Sequence, residues 1–324
     1  MKSLITGAGG FAGSYLAEYL LQQNQEVIAL VNPQNNLLTL HHILSQIRVE
    51  RMDIRDSDRL EQILVDVQPQ RVYHLAAVSS PTESLADPKV TYDVNVLGTF
   101  NLLNACRRLV LDCRVLYVSS AEVYGGGEKD SMPLREDSPF RPANPYAASK
   151  AAGEMVAYQF YRSYGLPVVR ARPFNHTGPR QSDAYLCSSL ARQVANIEAG
   201  AQPPQVTAGN LKLRRDFSDV RDVVRGYHLL LEKGTEGDVY HLCSGKPVLL
   251  ESILEILGSF SCKPFTVTVD ESRRRSGELP EIWGDYSKAT ADTGWAPQYE
   301  LRTTLLDLKR YWEEINSTKT PEAS

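Results

Sequence analysis

The chain has 324 residues, of which 42% are hydrophobic and 23% charged, so it can bury a large core and has the composition of an ordinary globular protein. Its net charge of −4 gives no electrostatic basis for binding nucleic acid or a membrane surface. Five cysteines without CxxC spacing predict free thiols in a reducing compartment, with neither a disulfide framework nor a metal site. Because no apolar run is typical of a signal peptide or a membrane span, we expect a cytoplasmic protein.

The first half of the chain alternates short β-branched runs with helical segments. The predicted strands are SLIT, EVIALV, RVERMDI, RVYHLAA, RVLYVSS and LPVVRARPF. The helices predicted between them include FAGSYLAEYLLQQ, SDRLEQILVDV and VTYDVNVLGTFNLLNACRRL. This alternation predicts an α/β fold with a doubly wound parallel sheet covered by helices on both faces.

The second half is less regular, and Pro, Gly, Arg and Gln become frequent after residue 175. A further helix, DVRDVVRGYHLLLEK, and a strand, DVYHLCSG, are expected to return to the sheet. We therefore predict a nucleotide-binding domain of residues 1–174 plus about 217–245. A smaller C-terminal substrate-binding lobe would comprise about 175–216 plus 246–315, and residues 316–324 would form a frayed tail.

A glycine-rich turn, TGAGGFAG, follows the first strand and opens the first helix at Phe11. Gly7 permits a tight turn, Gly10 lets the backbone approach a pyrophosphate, and Gly13 lets helix and strand pack closely. The first N–H groups of the helix are then available to the anion. Between a strand and a helix, this spacing predicts a Rossmann dinucleotide-binding domain with Gly7, Gly10, Phe11 and Gly13 at the cofactor.

The end of the second strand bears on the choice of cofactor. Asn32 stands where proteins that prefer NAD usually offer a carboxylate to the ribose 2′-hydroxyl. No Asp or Glu occurs between Glu26 and Glu50, so nothing there repels a 2′-phosphate. NADP(H) is therefore favoured, whereas NAD(H) stays possible because no arginine stands directly after the second strand either.

Asp53 and Ile54, at the end of the third strand, are predicted to contact the adenine ring. The Asp53 carboxylate would accept a hydrogen bond from the exocyclic amine. The alternative is that Asp53 only caps the N-terminus of the following helix.

YAASK places Tyr146 and Lys150 four residues apart, on one face of a helix. A phenol has a reference pKa near 10, which is too high for proton exchange at neutral pH. An ammonium about 4 Å away, at an effective dielectric of ~20, would lower the phenol pKa by about three units before burial opposes it. The pair therefore predicts an acid/base tyrosine activated by a lysine.

Together with Leu75–Ala77 (LAA) and Ser119–Ser120, these motifs resemble the extended short-chain dehydrogenase/reductase family, in its sugar-nucleotide branch. The resemblance covers almost the whole chain. It implies that Ser120 hydrogen-bonds the reacting sugar oxygen, that Tyr146 is the acid/base, and that Lys150 tunes Tyr146 and binds the nicotinamide ribose. The cofactor-binding residues that it adds are Leu75, Ala76, Ala77, Tyr146, Lys150 and Pro173.

Three later segments, RPFNHTGPRQ, GNLKLRRDFSDVRDVV and RRRSGELP, resemble those that hold a nucleoside-diphosphate sugar. They are most similar to the GDP-4-keto-6-deoxy-D-mannose reductases, relatives of GDP-mannose 4,6-dehydratase. The resemblance implies that Arg215 and Arg275 grip the diphosphate and that Glu278 binds the ribose hydroxyls. The full predicted substrate set is Ser120, Glu122, Asn175, Arg180, Asn210, Arg215, Arg275 and Glu278.

SSAEVYG, residues 119–125, leaves a choice between two reactions. A 4,6-dehydratase needs a base for the C5 proton and help for the C6 leaving group, and many such enzymes have Asp–Glu where this chain has Ala121–Glu122. Ala121 cannot donate a proton, although Glu122 would match the base of the GDP-mannose enzymes. We interpret Glu122 as a polar residue of the sugar pocket.

His176 lies beside the predicted substrate residue Asn175. We interpret it as a packed or backbone-bonded histidine without a catalytic role.

The expected function is NAD(P)H-dependent reduction of the C4 keto group of GDP-4-keto-6-deoxy-D-mannose. The product would be GDP-D-rhamnose or its C4 epimer, GDP-6-deoxy-D-talose. GDP-mannose 4,6-dehydratase is the alternative, followed by a sugar-nucleotide C4 epimerase or a nonenzymatic cofactor-sensing module. The helices around 91–108 and 146–163 carry more apolar and small residues than one buried face requires, so a homodimer is expected.

Overall fold

The computed structural model describes residues 1–125, 131–270 and 280–319. In chain order its strands are β1 (Lys2–Thr6), β2 (Glu26–Val31), β3 (Arg48–Arg51), β4 (Arg71–His74), β5 (Arg114–Val118), β6 (Val168–Pro173), β7 (Asn175–Thr177), β8 (Gln205–Ala208), β9 (Arg214–Asp219), β10 (Val239–Leu242), β11 (Pro247–Leu249), β12 (Thr266–Val269) and β13 (Glu281–Ile282).

The α-helices are α1 (Phe11–Gln22), α2 (Ser57–Val67), α3 (Pro81–Ala86), α4 (Pro88–Tyr92), α5 (Gly98–Arg108), α6 (Pro145–Tyr164), α7 (Leu186–Glu198), α8 (Val220–Lys233), α9 (Leu250–Ser259), α10 (Ser287–Thr293) and α11 (Leu301–Lys319). Leu38–Gln46 and Ala121–Tyr124 form 3-10 helices, and a π turn over Asp93–Leu97 joins α4 to α5.

Seven parallel strands form the large sheet, in the order β10-β6-β5-β4-β1-β2-β3. The predicted doubly wound sheet is confirmed, and β10 returns to it beside β6 as expected. Thr6 at the end of β1 lies between Leu30 of β2 and His74 of β4. Because all seven strands run the same way, the loops that follow them meet at one edge, where ligands bind in such folds.

Each face of the large sheet has its own apolar core. On one face α1 and α8 pack over the sheet around Leu16, Tyr227 and Trp295, all fully buried. On the other face α2, α5 and α6 pack around Leu60, Leu102 and residues near them. Burying one such side chain stabilises the fold by about 1.5–3 kcal/mol. The two cores fix the helices that begin at the carboxyl edge of the sheet.

A smaller lobe contains a second sheet, in which β9 lies between β11 and β13 and also pairs with β7. A two-stranded sheet of β8 and β12 adjoins it, and α7, α9 and α11 cover a third apolar core. The sheet of this lobe includes β9 up to Asp219, three residues beyond the predicted end of the lobe at about 216. Helix α11 continues to Lys319, so residues 316–319 are helical where a frayed tail was expected.

Within the described ranges, no helix has the length and apolarity needed to cross a bilayer. All five cysteines carry free thiols, of which only Cys262 is exposed.

We predict that Gly13→Ala destabilises the protein more than Gly165→Ala. A Cβ on Gly13 would lie 2.3 Å from the Gly7 carbonyl oxygen and 2.8 Å from the Ala8 Cα, and both are backbone atoms. Overpacking of this kind costs about 2–3 kcal/mol. Gly165 ends α6 with φ +67° and no neighbour within 4 Å, so alanine there costs only about 1 kcal/mol of backbone strain. Urea unfolding of the two variants compares them, and equal losses would contradict the close packing at Gly13.

Candidate active site

The glycine turn forms a cradle at the start of α1. Gly7 has φ +73°, and its N–H donates to the Leu30 carbonyl at 3.0 Å. A Cβ on Gly7 would lie 2.8 Å from the Ala76 nitrogen, so the turn rests against the end of β4. Gly10 occupies the N-cap of α1, where no side chain caps the helix. The uncapped N–H groups and the lack of room for a side chain fit a dinucleotide pyrophosphate, as the sequence predicts.

A buried hydrogen-bonded chain joins the glycine turn to the helix that begins beyond β4. His74 contacts the Thr6 hydroxyl through Nδ1 at 2.7 Å and the Thr99 hydroxyl through Nε2 at 2.9 Å. Burial lowers the pKa of His74 to about 3, with a further lowering by Lys150, so the imidazole is neutral. The Thr6 hydroxyl also accepts from the Ala76 N–H at 3.1 Å. This chain fixes the LAA segment, Leu75 to Ala77, beside the glycine turn.

The residues predicted to contact adenosine lie at the ends of β2 and β3. Asn32 Oδ1 accepts from the Gln34 N–H at 2.9 Å and holds the loop after β2. Asp53 pairs with the Arg55 guanidinium at 2.6 Å, and this contact holds the pKa of the Asp53 carboxyl below its usual range.

The cap of α2 is Asp56, which accepts from the Arg59 N–H, so the alternative that Asp53 is the cap is wrong. Ile54 is buried beneath α5, where a Cβ on Gly98 would lie 2.6 Å from Ile54 Cγ2. Its side chain therefore packs against α5.

Ser120, Tyr146 and Lys150 meet at the carboxyl edge of the large sheet. Ser120 follows β5, and its hydroxyl accepts from the Glu122 N–H at 3.1 Å. Tyr146 lies in the first turn of α6, whose N-cap Asn144 accepts from the Ala147 N–H at 2.8 Å. The Tyr146 phenol hydrogen-bonds with Ser120. Pro173 ends β6 nearby and is buried.

The charge state of Tyr146 is set mainly by burial. Burial raises the pKa of the Tyr146 phenol above its ordinary value; the Ser120 hydrogen bond lowers it, and the negative charge of Glu122 raises it. Burial was expected to oppose the lowering of this pKa by Lys150, and burial is the largest effect on the phenol. Tyr146 is thus held in its protonated form.

The Lys150 side chain lies inside the protein, over the Tyr117 ring. It is only 5% exposed, and its Nζ lies 5.0 Å from the centroid of the Tyr117 ring. Burial lowers the pKa of Lys150 to about 8, whereas the negative charge of Glu154 raises it. Glu154 follows one turn later on α6 and is completely buried.

Two arginines from β6 surround the Glu154 carboxylate. Arg172 donates to it through Nη2 at 2.6 Å and through Nε at 3.0 Å, and Arg170 donates at 3.2 Å. Arg172 also contacts Tyr124, whose hydroxyl lies 2.5 Å from His241 Nε2. This buried network ties α6 to the 3-10 helix after Ser120.

Glu122 is exposed and lies in that 3-10 helix, close enough to Tyr146 to affect its pKa. Ala121 is partly buried beside it. Glu122 therefore provides one carboxylate, and Ala121 beside it cannot donate a proton.

The predicted substrate residues of the lobe lie on β7 and β9. Asn175 is exposed, and its Nδ2 donates to the Asp216 carbonyl at 3.2 Å. Arg215 is partly buried on the central strand, next to Val248 of β11. Asn210 accepts from the Lys212 N–H at 3.1 Å in the loop before β9.

The Asp216 carboxylate is buried next to Arg215 on β9. It accepts from the Ser244 N–H at 2.7 Å, from the Ser244 hydroxyl at 2.6 Å and from the Gly245 N–H at 3.0 Å. These bonds anchor β9 to the loop after β10.

Arg180 contacts α1 and the segment after β2. Its guanidinium is 3.9 Å from the centroid of the Tyr15 ring and donates to Glu18 Oε2 at 3.2 Å, both on α1. Nη1 donates to the Thr39 carbonyl at 3.2 Å. The structure thus uses Arg180 to join the segment after β7 to α1. Arg275 and Glu278 lie outside the described residues.

His176 is packed as expected, since its Nδ1 lies 3.0 Å from the Phe174 carbonyl and its ring stacks on Phe11 at 5.9 Å. Phe11 therefore contacts the segment after β7 from the first turn of α1.

Several residues of the site were missed from the sequence. Asn95, in the π turn, donates to the Val78 carbonyl at 3.1 Å and to the Ser149 hydroxyl at 2.8 Å. Ser149 in turn donates to the Tyr146 carbonyl at 2.8 Å. Tyr185 lies close enough to Tyr146 to raise its pKa. The sequence contains an NxxGT pattern that begins at Asn95. The contacts of Asn95 depend on the π turn, which the pattern alone does not predict.

The chain is similar to known proteins over nearly its whole length. A family model described as GDP-mannose 4,6 dehydratase matches residues 4–308. The GDP-6-deoxy-D-mannose reductase of Pseudomonas aeruginosa is 33% identical over 312 residues, which cover 96% of this chain and 97% of that protein. The GDP-mannose 4,6-dehydratase of Vibrio cholerae serotype O1 is 28% identical over 345 residues, with 94% and 92% covered.

Solved structures agree. RMD from Pseudomonas aeruginosa complexed with NADPH superimposes with a TM-score of 0.86 at 32% identity, covering 97% of this chain and 99% of that one. DesIV (dTDP-glucose 4,6-dehydratase) from Streptomyces venezuelae, with NAD and TYD bound, also gives 0.86, at 30% identity and 99% coverage of both chains. With its glycine turn and its Ser120–Tyr146–Lys150 site, the chain belongs to the GDP-mannose 4,6-dehydratase family of extended short-chain dehydrogenase/reductases.

Proposed function

We propose that the protein reduces the C4 keto group of GDP-4-keto-6-deoxy-D-mannose to the alcohol, consuming one NADPH and one proton. The observation that carries the proposal is the meeting of Ser120, Tyr146 and Lys150 beside a glycine turn. The similarity to a GDP-6-deoxy-D-mannose reductase over 97% of its length supports the substrate. The product is GDP-D-rhamnose or its C4 epimer, GDP-6-deoxy-D-talose, according to the face of the sugar that is presented.

Reduction requires a proton donor at the C4 oxygen, and the state of Tyr146 suits that role. Burial and Glu122 raise the pKa of the phenol, so Tyr146 holds its proton until negative charge develops on the substrate oxygen. Ser120 hydrogen-bonds the same phenol and would orient the carbonyl. A reduced dinucleotide, held by its pyrophosphate on the glycine turn, would supply the hydride. Lys150 then stabilises the phenolate that Tyr146 leaves behind.

The second candidate is dehydration of GDP-mannose, which the exposed carboxylate of Glu122 and the family description favour. That reaction needs a base at C5 and a proton donor for the departing C6 hydroxyl. Ala121, where many such dehydratases have Asp, cannot donate that proton. We therefore rank reduction first and assign Glu122 to the lining of the sugar pocket.

NADPH is the favoured cofactor, because no acid lies between Glu26 and Glu50 and a relative was solved with NADPH. NADH stays possible, since another relative was solved with NAD. The free cysteines suit a cytoplasmic location.

A homodimer is part of the proposal. Leu97 is 54% exposed and Phe100 44% exposed at the start of α5, and Met155 is 44% exposed on α6. Two packed helices that expose large apolar side chains on neighbouring surfaces suit a two-fold interface.

The direct test supplies the 4-keto sugar nucleotide with NADPH and follows absorbance of the reduced cofactor, with GDP-mannose plus NADP as the control. Tyr146→Phe should lower kcat by about 10²–10⁴-fold because the proton donor is lost. Glu122→Gln keeps the shape and most hydrogen bonding, so it should cost less than about tenfold. If Glu122→Gln abolishes turnover of GDP-mannose while no NADPH is consumed, the protein is a dehydratase.

Arg215→Ala should raise KM for the sugar nucleotide by about ten- to a hundredfold, since one charge-assisted contact to a phosphate is worth about 1.5–3 kcal/mol. Arg214→Ala is the matched control, because neighbouring residues of a strand point to opposite faces. NADPH affinity should be unchanged in both variants. Unchanged binding of GDP to Arg215→Ala, measured by calorimetry, would remove Arg215 from the substrate site.

Glu154→Gln should shift the alkaline limb of kcat/KM to lower pH. Lys150 must be protonated to stabilise the phenolate, so activity is present below the Lys150 pKa of about 8 and is lost above it. The negative charge of Glu154 raises the pKa of Lys150, and the arginines beside Glu154 partly offset that charge, so the movement of the limb should be about one unit or less.

The control is Tyr124→Phe, which removes a hydroxyl from the same network without changing its charge. Its alkaline limb should stay in place. A Glu154→Gln profile that is lowered uniformly, with no movement along the pH axis, would contradict the role of Glu154 in holding the lysine charge.

A further inference from the structure

Four arginines lie on or near β3, the outer strand of the large sheet, with Arg48 at its start and Arg51 at its end. Arg48 pairs with Glu50 at 2.7 Å, Arg59 with Glu50 at 2.9 Å, and Arg55 with Asp53 at 2.6 Å. Arg51 is the exception, since no carboxylate of the described residues lies within ion-pair distance of it. Because the neighbouring carboxylates are paired with the other three arginines, the positive charge of the exposed Arg51 is available to a ligand.

The position of Arg51 is fixed by the loop after β2. Its Nη1 donates to the Pro33 carbonyl at 3.2 Å and to the Asn35 carbonyl at 3.1 Å. Arg51 ends β3 and lies beside Val31, the last residue of β2. The guanidinium therefore reaches the loop that recognises the adenosine ribose in dinucleotide-binding sheets.

The loop after β2 also contacts the glycine turn, through the residues that follow it. The Thr39 hydroxyl donates to the Gly9 carbonyl at 2.9 Å, so the loop between Val31 and Thr39 lies over the turn that suits a pyrophosphate. Asn32 is neutral and is engaged with the Gln34 N–H, and no acid lies in the loop. A phosphate on the ribose 2′-oxygen would meet one positive charge and no negative one.

We propose that Arg51 binds the 2′-phosphate of NADPH and sets the preference for NADPH over NADH. This inference rests on the proposed dinucleotide site and assigns the cation that the loop after β2 does not itself contain. Both bonds to the loop use Nη1, and no other described residue accepts from Nε or Nη2. That edge of a guanidinium matches two phosphate oxygens in a bidentate geometry.

A role of Arg51 in holding the loop and a role in binding the phosphate predict different changes in ligand affinity when Arg51 is replaced. If Arg51 only held the loop, its loss would weaken adenosine binding whether or not the 2′-phosphate were present. If it binds the phosphate, the loss falls on 2′-phosphorylated ligands alone. Comparing 2′,5′-ADP with 5′-AMP separates the two roles without any requirement for turnover.

The test measures binding of 2′,5′-ADP, 5′-AMP, NADPH and NADH to wild type, Arg51→Gln and Arg48→Gln by calorimetry. Arg51→Gln should weaken 2′,5′-ADP and NADPH by about 10- to 100-fold, the range of one charge-assisted contact, and leave 5′-AMP and NADH within about twofold. Arg48→Gln removes a charge from the same strand and should change none of the four affinities by more than about twofold. Thermal unfolding checks that both variants fold.

Equal weakening of 5′-AMP and 2′,5′-ADP in Arg51→Gln would overturn the inference and leave Arg51 as a support of the loop. Wild type that bound 2′,5′-ADP no better than 5′-AMP would overturn it as well. Neither result affects the proposed reduction, which NADH could also support and which the keto-sugar assay tests separately.

Discussion

The site depends on a positive charge that is kept out of water. Lys150 is almost completely buried, and burial disfavours its charged form by lowering its pKa to about 8. Glu154, held by Arg170 and Arg172, opposes that effect from the next turn of α6. Removing one member of such a buried network costs about 3–5 kcal/mol, because the others are left without partners. The cost of burying these charges thus couples the stability of the sheet to the chemistry at its edge.

Tyr146 and Lys150 are affected in opposite directions by the same burial. Desolvation raises the pKa of the Tyr146 phenol, which stays protonated, and lowers the pKa of the Lys150 ammonium. A donor that keeps its proton until charge appears on the substrate, beside a cation that receives the resulting phenolate, suits reduction of a ketone. Glu122 strengthens the first effect through its own negative charge. The proposed direction of the reaction and the interpretation of Glu122 therefore depend on one electrostatic arrangement.

Local patterns in the sequence predicted the sheet, the glycine turn and the helix that carries Tyr146 and Lys150, because each depends on residues close together in the chain. Contacts between distant segments were not predictable in that way. Arg180 has the sequence context of a substrate residue, yet it packs on Tyr15 and pairs with Glu18, more than 160 residues away. The size of the burial effect on Tyr146 was not predictable either, since spacing along a helix carries no information on burial.

Arg51 is a residue whose proposed role could not be predicted from the sequence. A search of the stretch after β2 finds no arginine, although pairing of β2 with β3 brings one to that loop from the next strand. The contacts of Asn95 depend on a π turn, and α2 is capped by Asp56, so the alternative of Asp53 as the cap is wrong. In each case the residue type was informative, but its partner was set by strand pairing or helix geometry.

Transfer of a label from the cofactor to the sugar tests the central claim most directly. NADPH carrying deuterium at the transferred position of nicotinamide C4 is supplied with GDP-4-keto-6-deoxy-D-mannose, and the product is examined by NMR. Net reduction predicts one deuterium at sugar C4 for each NADPH consumed, and no solvent deuterium at C5 when the reaction is run in heavy water. Conversion of GDP-mannose without net oxidation of the cofactor, with solvent deuterium at C5, would contradict the account.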